Sequence, residues 1–135
     1  MGVIPPHLEI DAILVGEDHS SDDDNSVERI EGIIEDDGWD VVRACLLAIL
    51  EDPGRPASHW QVVAAVFWGA VLDERPVPVD RLIALLYARL PNDEHSSENN
   101  LAWSITAKLR GVSYLSDYDP FADPCIKREL STIRR

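Results

Sequence analysis

An all-α fold, a compact bundle of about six helices, is predicted by three features of this 135-residue sequence. Apolar residues recur at helical spacing through most of its length, Val79, Leu82, Ile83, Leu86 and Leu90 among them. Proline, glycine and polar clusters interrupt those periodic stretches at short intervals. The segment Leu46–Leu50 is echoed by Leu82–Leu86, an offset of 36 residues, and each copy precedes a turn and a further helix. That offset falls in the range of paired-helix repeats and favours two stacked HEAT-like helical hairpins over a symmetric bundle. The length suits a single helical domain spanning 1–135.

Residues 1–16 carry two patterns. Leu8, Ile10, Ala12 and Leu14 alternate as in an extended segment, whereas Leu8, Ala12 and Val15 share one side of a helix. Helix or extended packing segment both remain open, an isolated strand being disfavoured by its unpaired edge. Residues 17–25 contain no apolar side chain and should make a mobile acidic loop, the end of a partly mobile N-terminal segment 1–25. Asp22, Asp23 and Asp24 lack the alternating ligands and central glycine of an EF-hand, so a solvated loop is expected rather than a calcium site.

A helix follows over 26–36, with Asn25 as cap, Glu28 reaching back, and Val27, Ile30, Ile33 and Ile34 as its buried stripe. Gly38 separates it from a helix over 39–51, which Pro53 and Gly54 end. In the next helix, 58–72, Ser58 and Gln61 form a capping box, and no charged side chain occurs from Trp60 to Leu72. Such a helix belongs at the centre, packed on several sides. Pro76 and Pro78 lead into a helix over 78–90, with Asp80 in its first turn. A helix over 97–110 is capped by Ser96 or Ser97 and followed by Gly111, with Leu101, Ile105 and Leu109 inward. Trp103 points away from that stripe, either packing on the preceding helix or serving as a partly exposed anchor. Asp123 caps a last helix that has Pro124 at its first position and Ile126, Leu130 and Ile133 as its docking stripe.

Charge narrows the function classes. The chain holds 25 acidic and 12 basic residues, net −13. Residues 1–52 contain 15 of the acidic residues but only Arg29 and Arg43, so the whole imbalance lies there. Direct nucleic-acid binding through that part would set carboxylates against phosphates, and an anionic membrane surface is disfavoured for the same reason. A basic protein partner is attracted by the same field. No apolar run is long enough for a membrane span and the start lacks a secretory signal pattern, so a cytoplasmic location is expected. Cys45 and Cys125 are isolated and expected to be reduced.

Catalytic chemistry has no foothold in these residue patterns. His7, His19, His59 and His95 fall in separate segments without metal-ligand spacing, and no phosphate loop or nucleophile motif occurs. We therefore expect no enzyme activity, cofactor or metal. Two candidate surfaces remain. One is acidic: Asp22, Asp23, Asp24, Glu35, Asp36, Asp37 and Asp40, serving either solubility or a partner. The other is the loop from Tyr114 to Phe121, with Tyr114, Asp117, Tyr118 and Asp119, forming either a packed corner against helix 97–110 or a tyrosine-rich contact surface.

The Leu-rich helix 82–90, the segment Glu98-Asn-Asn-Leu-Ala-Trp103, the ending Lys108-Leu-Arg-Gly111 and the Asp119-Pro120 turn resemble small helical immunity proteins. Those are the immunity proteins of bacterial polymorphic-toxin and contact-dependent growth inhibition systems. The resemblance spans roughly residues 40–125 and is one of general pattern, so it assigns no binding residue by position. It implies a small acidic cytoplasmic protein that neutralises one cognate toxin domain, often a basic nuclease.

Overall fold

In the computed structural model, the described residues are 5–16, 23–90, 101–113 and 118–134. Among them the chain forms seven α-helices and one short 3-10 turn: α1 Pro6–Gly16, α2 Asp23–Asp37, α3 Trp39–Glu51, α4 Ala57–Leu72, α5 Val79–Arg89, α6 Leu101–Arg110, the turn Pro120–Ala122, and α7 Pro124–Thr132. The all-α expectation holds. The N-terminal segment, open between helix and extended chain in the sequence, is a helix.

The helices pack in two layers. α1, α3, α5 and α7 neighbour one another in series, and α2, α4 and α6 do the same in a second layer. Each odd-numbered helix also packs on the even-numbered helix that follows it, giving hairpins α1–α2, α3–α4 and α5–α6, with α7 adding to the first layer. Stacked hairpins were expected, but there are three and a further helix rather than two.

The 36-residue echo runs through the whole stack. Ile10, Leu46 and Leu82 occupy equivalent places in α1, α3 and α5, as do Ile13, Ile49 and Leu85, and Leu14, Leu50 and Leu86; all nine are buried. In the other layer the equivalents are Ile30, Val66 and Ala102, then Ile34, Ala70 and Thr106, again all buried. Each hairpin buries its apolar face only by stacking on the next, the logic of repeat architectures.

Helix ends follow local chemistry, with two departures from expectation, at the starts of α2 and α4. α2 begins at Asp23, so Asn25 lies inside the helix and is not its cap. Asp23 and Asp24 therefore belong to helix rather than to a mobile loop. The Ser58–Gln61 capping box is not used: α4 begins at Ala57 with Pro56 before it, and no side chain caps it. Pro56 already holds the extended backbone that a helix entry needs (φ −63°, ψ 150°), which places the start one residue early. The α6 start and its Ser96 or Ser97 cap lie outside the described residues. At the other end of the chain, Asp123 accepts from the Cys125 amide at 2.9 Å with Pro124 first in α7, as expected.

Basic side chains stitch neighbouring units together. Arg55 pairs with Asp11, Arg75 with Glu31, Arg81 with Glu51 and Glu129, and Arg110 with Asp80 and Asp123. Arg89 is buried, donating to the Leu50 carbonyl at 2.7 Å and the Glu51 carbonyl at 3.2 Å. Trp39 sets its ring edge-on to Phe67 and donates to the Pro76 carbonyl at 2.8 Å, tying α3 to α4 and to the link before α5.

Candidate functional site

The internal pairs use up most carboxylates of the later helices. Among the described side chains, those without an ion pair include Glu28, Glu35, Asp36 and Asp37 of α2, all exposed, along with Glu9, Glu74 and Asp119. Glu35, Asp36 and Asp37 occupy the last turn of α2, where the helix dipole is negative and no basic residue compensates. Each such placement disfavours the helix by roughly 0.3–1 kcal/mol before solvent screening. These carboxylates are held there against helix stability.

Gly38, with φ 94°, turns the chain between α2 and α3 and brings Asp40 to the same corner, where it pairs with Arg43 at 3.2 Å. Four acidic candidates, Glu35, Asp36, Asp37 and Asp40, thus come together at one exposed turn. Asp23 and Asp24 stand at the opposite end of α2, their side chains outside the description, and Asp22 lies outside the described residues altogether.

Aromatic candidates fare differently. Tyr118 is half-buried, and its hydroxyl donates to Asp123 at 2.6 Å while accepting from Arg110 Nε at 3.2 Å. The Arg110 guanidinium also lies 5.3 Å from the Tyr118 ring centre. Burial first, then the Asp123 carboxylate, pushes the Tyr118 phenol above its ordinary value. This is a packed corner joining α5, α6 and α7. Asp119, exposed, accepts from the Phe121 amide at 2.9 Å and so caps the 3-10 turn. Trp103 is half-buried on α6, and Tyr114 and Asp117 lie outside the described residues.

A third surface was hidden in the sequence by its apolar composition. The row Gln61, Ala65, Trp68 and Leu72 faces outward from α4, with Leu72 51% exposed and Trp68 half-buried. Trp39 and Trp60 commit their indole N–H groups to the Pro76 and Ile49 carbonyls. Trp68 makes no hydrogen bond or ring contact among the described residues. Beyond Leu72 a groove of about 350 Å³ opens between the end of α4 and α6, lined by Val71, Glu74, Arg75, Val77, Lys108 and Leu109. Only Gln61 marks that row in the sequence between Trp60 and Leu72, and its apolar members Ala65, Trp68 and Leu72 could be recognised as outward only once the neighbours of α4 were in place.

Among the described residues no group of three or more His, Cys, Asp or Glu side chains is arranged to hold a metal ion. No helix among them is long and apolar enough to cross a membrane. No protein-family model matches the chain, and neither a curated protein nor a solved structure matches it.

Proposed function

We propose that this chain is an immunity-type inhibitor that binds a cationic bacterial toxin domain, of the basic nuclease kind, and covers its active or substrate-binding surface. The observation that carries this reading is the set of unpaired carboxylates on α2, three of them at the helix end where they are electrostatically disfavoured. Side chains kept against local stability fit a surface selected for what it meets. The resemblance of residues 40–125 to helical immunity proteins points the same way. The protein would act in the cytoplasm by occlusion, without catalysis or cofactor. Long-range attraction would speed encounter, and desolvated apolar anchors would supply affinity.

A second reading, an adaptor for some other basic protein, is favoured by the stacked hairpins, since such stacks present extended binding surfaces. One experiment separates the two. Tagged chain is purified from its native host, co-purifying proteins are identified by mass spectrometry, and each is co-expressed with and without this chain. A partner that arrests growth alone and is silenced by this chain supports the inhibitor reading. A basic partner that is harmless alone supports the adaptor, and an acidic partner contradicts both.

A further inference from the structure

Two observations single out the outward side of the α2–α4–α6 layer. The first concerns the ends of its three helices. Gly38 after α2, Glu74 after α4 and Gly111 after α6 stand at equivalent places, 36 and 37 residues apart, and all have positive φ: 94°, 59° and 70°. At the last two the chain closes the same way, the Arg75 amide bonding to the Ala70 carbonyl and the Val112 amide to the Ala107 carbonyl. Glycine is the favoured residue in this conformation, and two of the three units use it. Glu74 is the sole non-glycine residue with positive φ among the described residues. Its carboxylate has no ion pair among them and lines the groove next to Leu72.

The second is the setting of the Ala65–Trp68–Leu72 row. A Cβ placed on Gly69 would lie 3.4 Å from Glu31 Oε1, so the Glu31 side of α2 faces α4. Glu28 and Glu35, three residues before and four after Glu31, share that side of α2 and are exposed beside the row. An indole with an uncommitted N–H and a half-exposed leucine thus sit between carboxylates on α2 and one at the end of α4. Apolar anchor inside a charged rim is the anatomy of a docking surface. Two cations also line the groove: Arg75, paired with Glu31 and Asp73, and Lys108, which bounds the negative region on the α6 side.

We propose that the Ala65–Trp68–Leu72 row, flanked by Glu28 and Glu35 and ended by Glu74, is the docking surface for a cationic protein segment that places an apolar side chain against Trp68 and Leu72. This rests on the reading of a cationic partner and locates its contact on α4 rather than at Tyr118. Glu74 is a charge kept where glycine would suit the backbone better.

The test uses the full chain, isotopically labelled, titrated with a short amphipathic lysine–leucine peptide and a lysine–serine peptide of equal charge, followed by amide and indole NMR shifts. The lysine–leucine peptide should shift the Trp68 indole and the amides of Glu28, Glu35, Leu72 and Glu74, and bind about tenfold tighter than its serine analogue. Glu74→Gly should raise Tm by a few degrees yet weaken peptide binding, while Glu74→Gln should weaken binding with little change in Tm. Equal binding of the two peptides, or shifts clustered on α1, α3 or the Tyr118 corner, would overturn the docking site while leaving a cationic partner standing. Absence of binding by either peptide would overturn both. Unchanged binding in Glu74→Gly and Glu74→Gln would remove Glu74 from the site.

Discussion

At the residue scale, Arg89 shows how a charge can be structural. It is 7% exposed, its guanidinium satisfies two carbonyls at the end of α3, and it lies 5.5 Å from the Trp60 ring centre. Methionine there would keep much of the stem packing but orphan the Leu50 carbonyl and lose the cation at a helix C-terminus. We expect Arg89→Met to lower unfolding free energy by about 2–3 kcal/mol in urea titration. Asp123 makes a pH-dependent contribution. Its carboxyl is held below the ordinary range by the Tyr118 hydroxyl above all, with the Cys125 amide and Arg110 adding to it. A depressed folded value means the stabilisation is complete above the ordinary carboxylate range and disappears as pH falls through the lowered value. Urea midpoints of wild type and Asp123→Asn should therefore be well separated at neutral pH and converge on acidification. A constant gap would mean that the charge on Asp123 does not matter.

At the element scale, α4 separates what a sequence discloses from what only packing decides. Its freedom from charge between Trp60 and Leu72 placed it at the centre, and it does touch α1, α2, α3, α5 and α6. Gln61 is the one polar residue of that stretch, and nothing else in the sequence marked Trp68 and Leu72 as outward. Helix α3 was legible to the residue because Gly38 and Pro53 punctuate it sharply. The α2 start was misplaced because aspartates suit a first helical turn as well as they suit a loop. Only two copies of the repeat were visible, since α1 has Ile10 and Asp11 where α3 has Leu46 and Leu47 and α5 has Leu82 and Ile83, and the second layer varies in size from Ile30 to Ala102. Paired substitutions test the inner and outer rows of α4. Phe67→Ala, at a fully buried position against Trp39, should cost about 3–5 kcal/mol, and Leu72→Ala under about 1 kcal/mol, by chemical denaturation. Comparable losses would mean that the outward row is covered by protein.

Across the whole molecule the layers divide the charge. Negative potential without partners concentrates on α2, at one end of its layer, while exposed Lys127, Arg128 and Arg134 lie on or just beyond α7, at the far end of the other. Arginines in between are consumed in fastening one hairpin to the next. Four of the acidic candidates foreseen in the sequence, Glu35, Asp36, Asp37 and Asp40, converge on the Gly38 turn, but their apolar counterpart was sought at Tyr118, whose hydroxyl is committed to Asp123 and Arg110. A pattern search finds tyrosines in a loop; it does not see that an arginine from a neighbouring helix will engage Tyr118. The layout predicts steered association: a cationic protein should be drawn to α2 from a distance and held by contacts nearer α4. The most direct measurement is the stopped-flow association rate of the partner recovered from the native host, taken across a range of ionic strength. A rate that falls steeply with added salt, with Glu35→Gln/Asp36→Asn/Asp37→Asn lowering it at low salt only, is the predicted result. A rate indifferent to salt and to those substitutions would contradict the account.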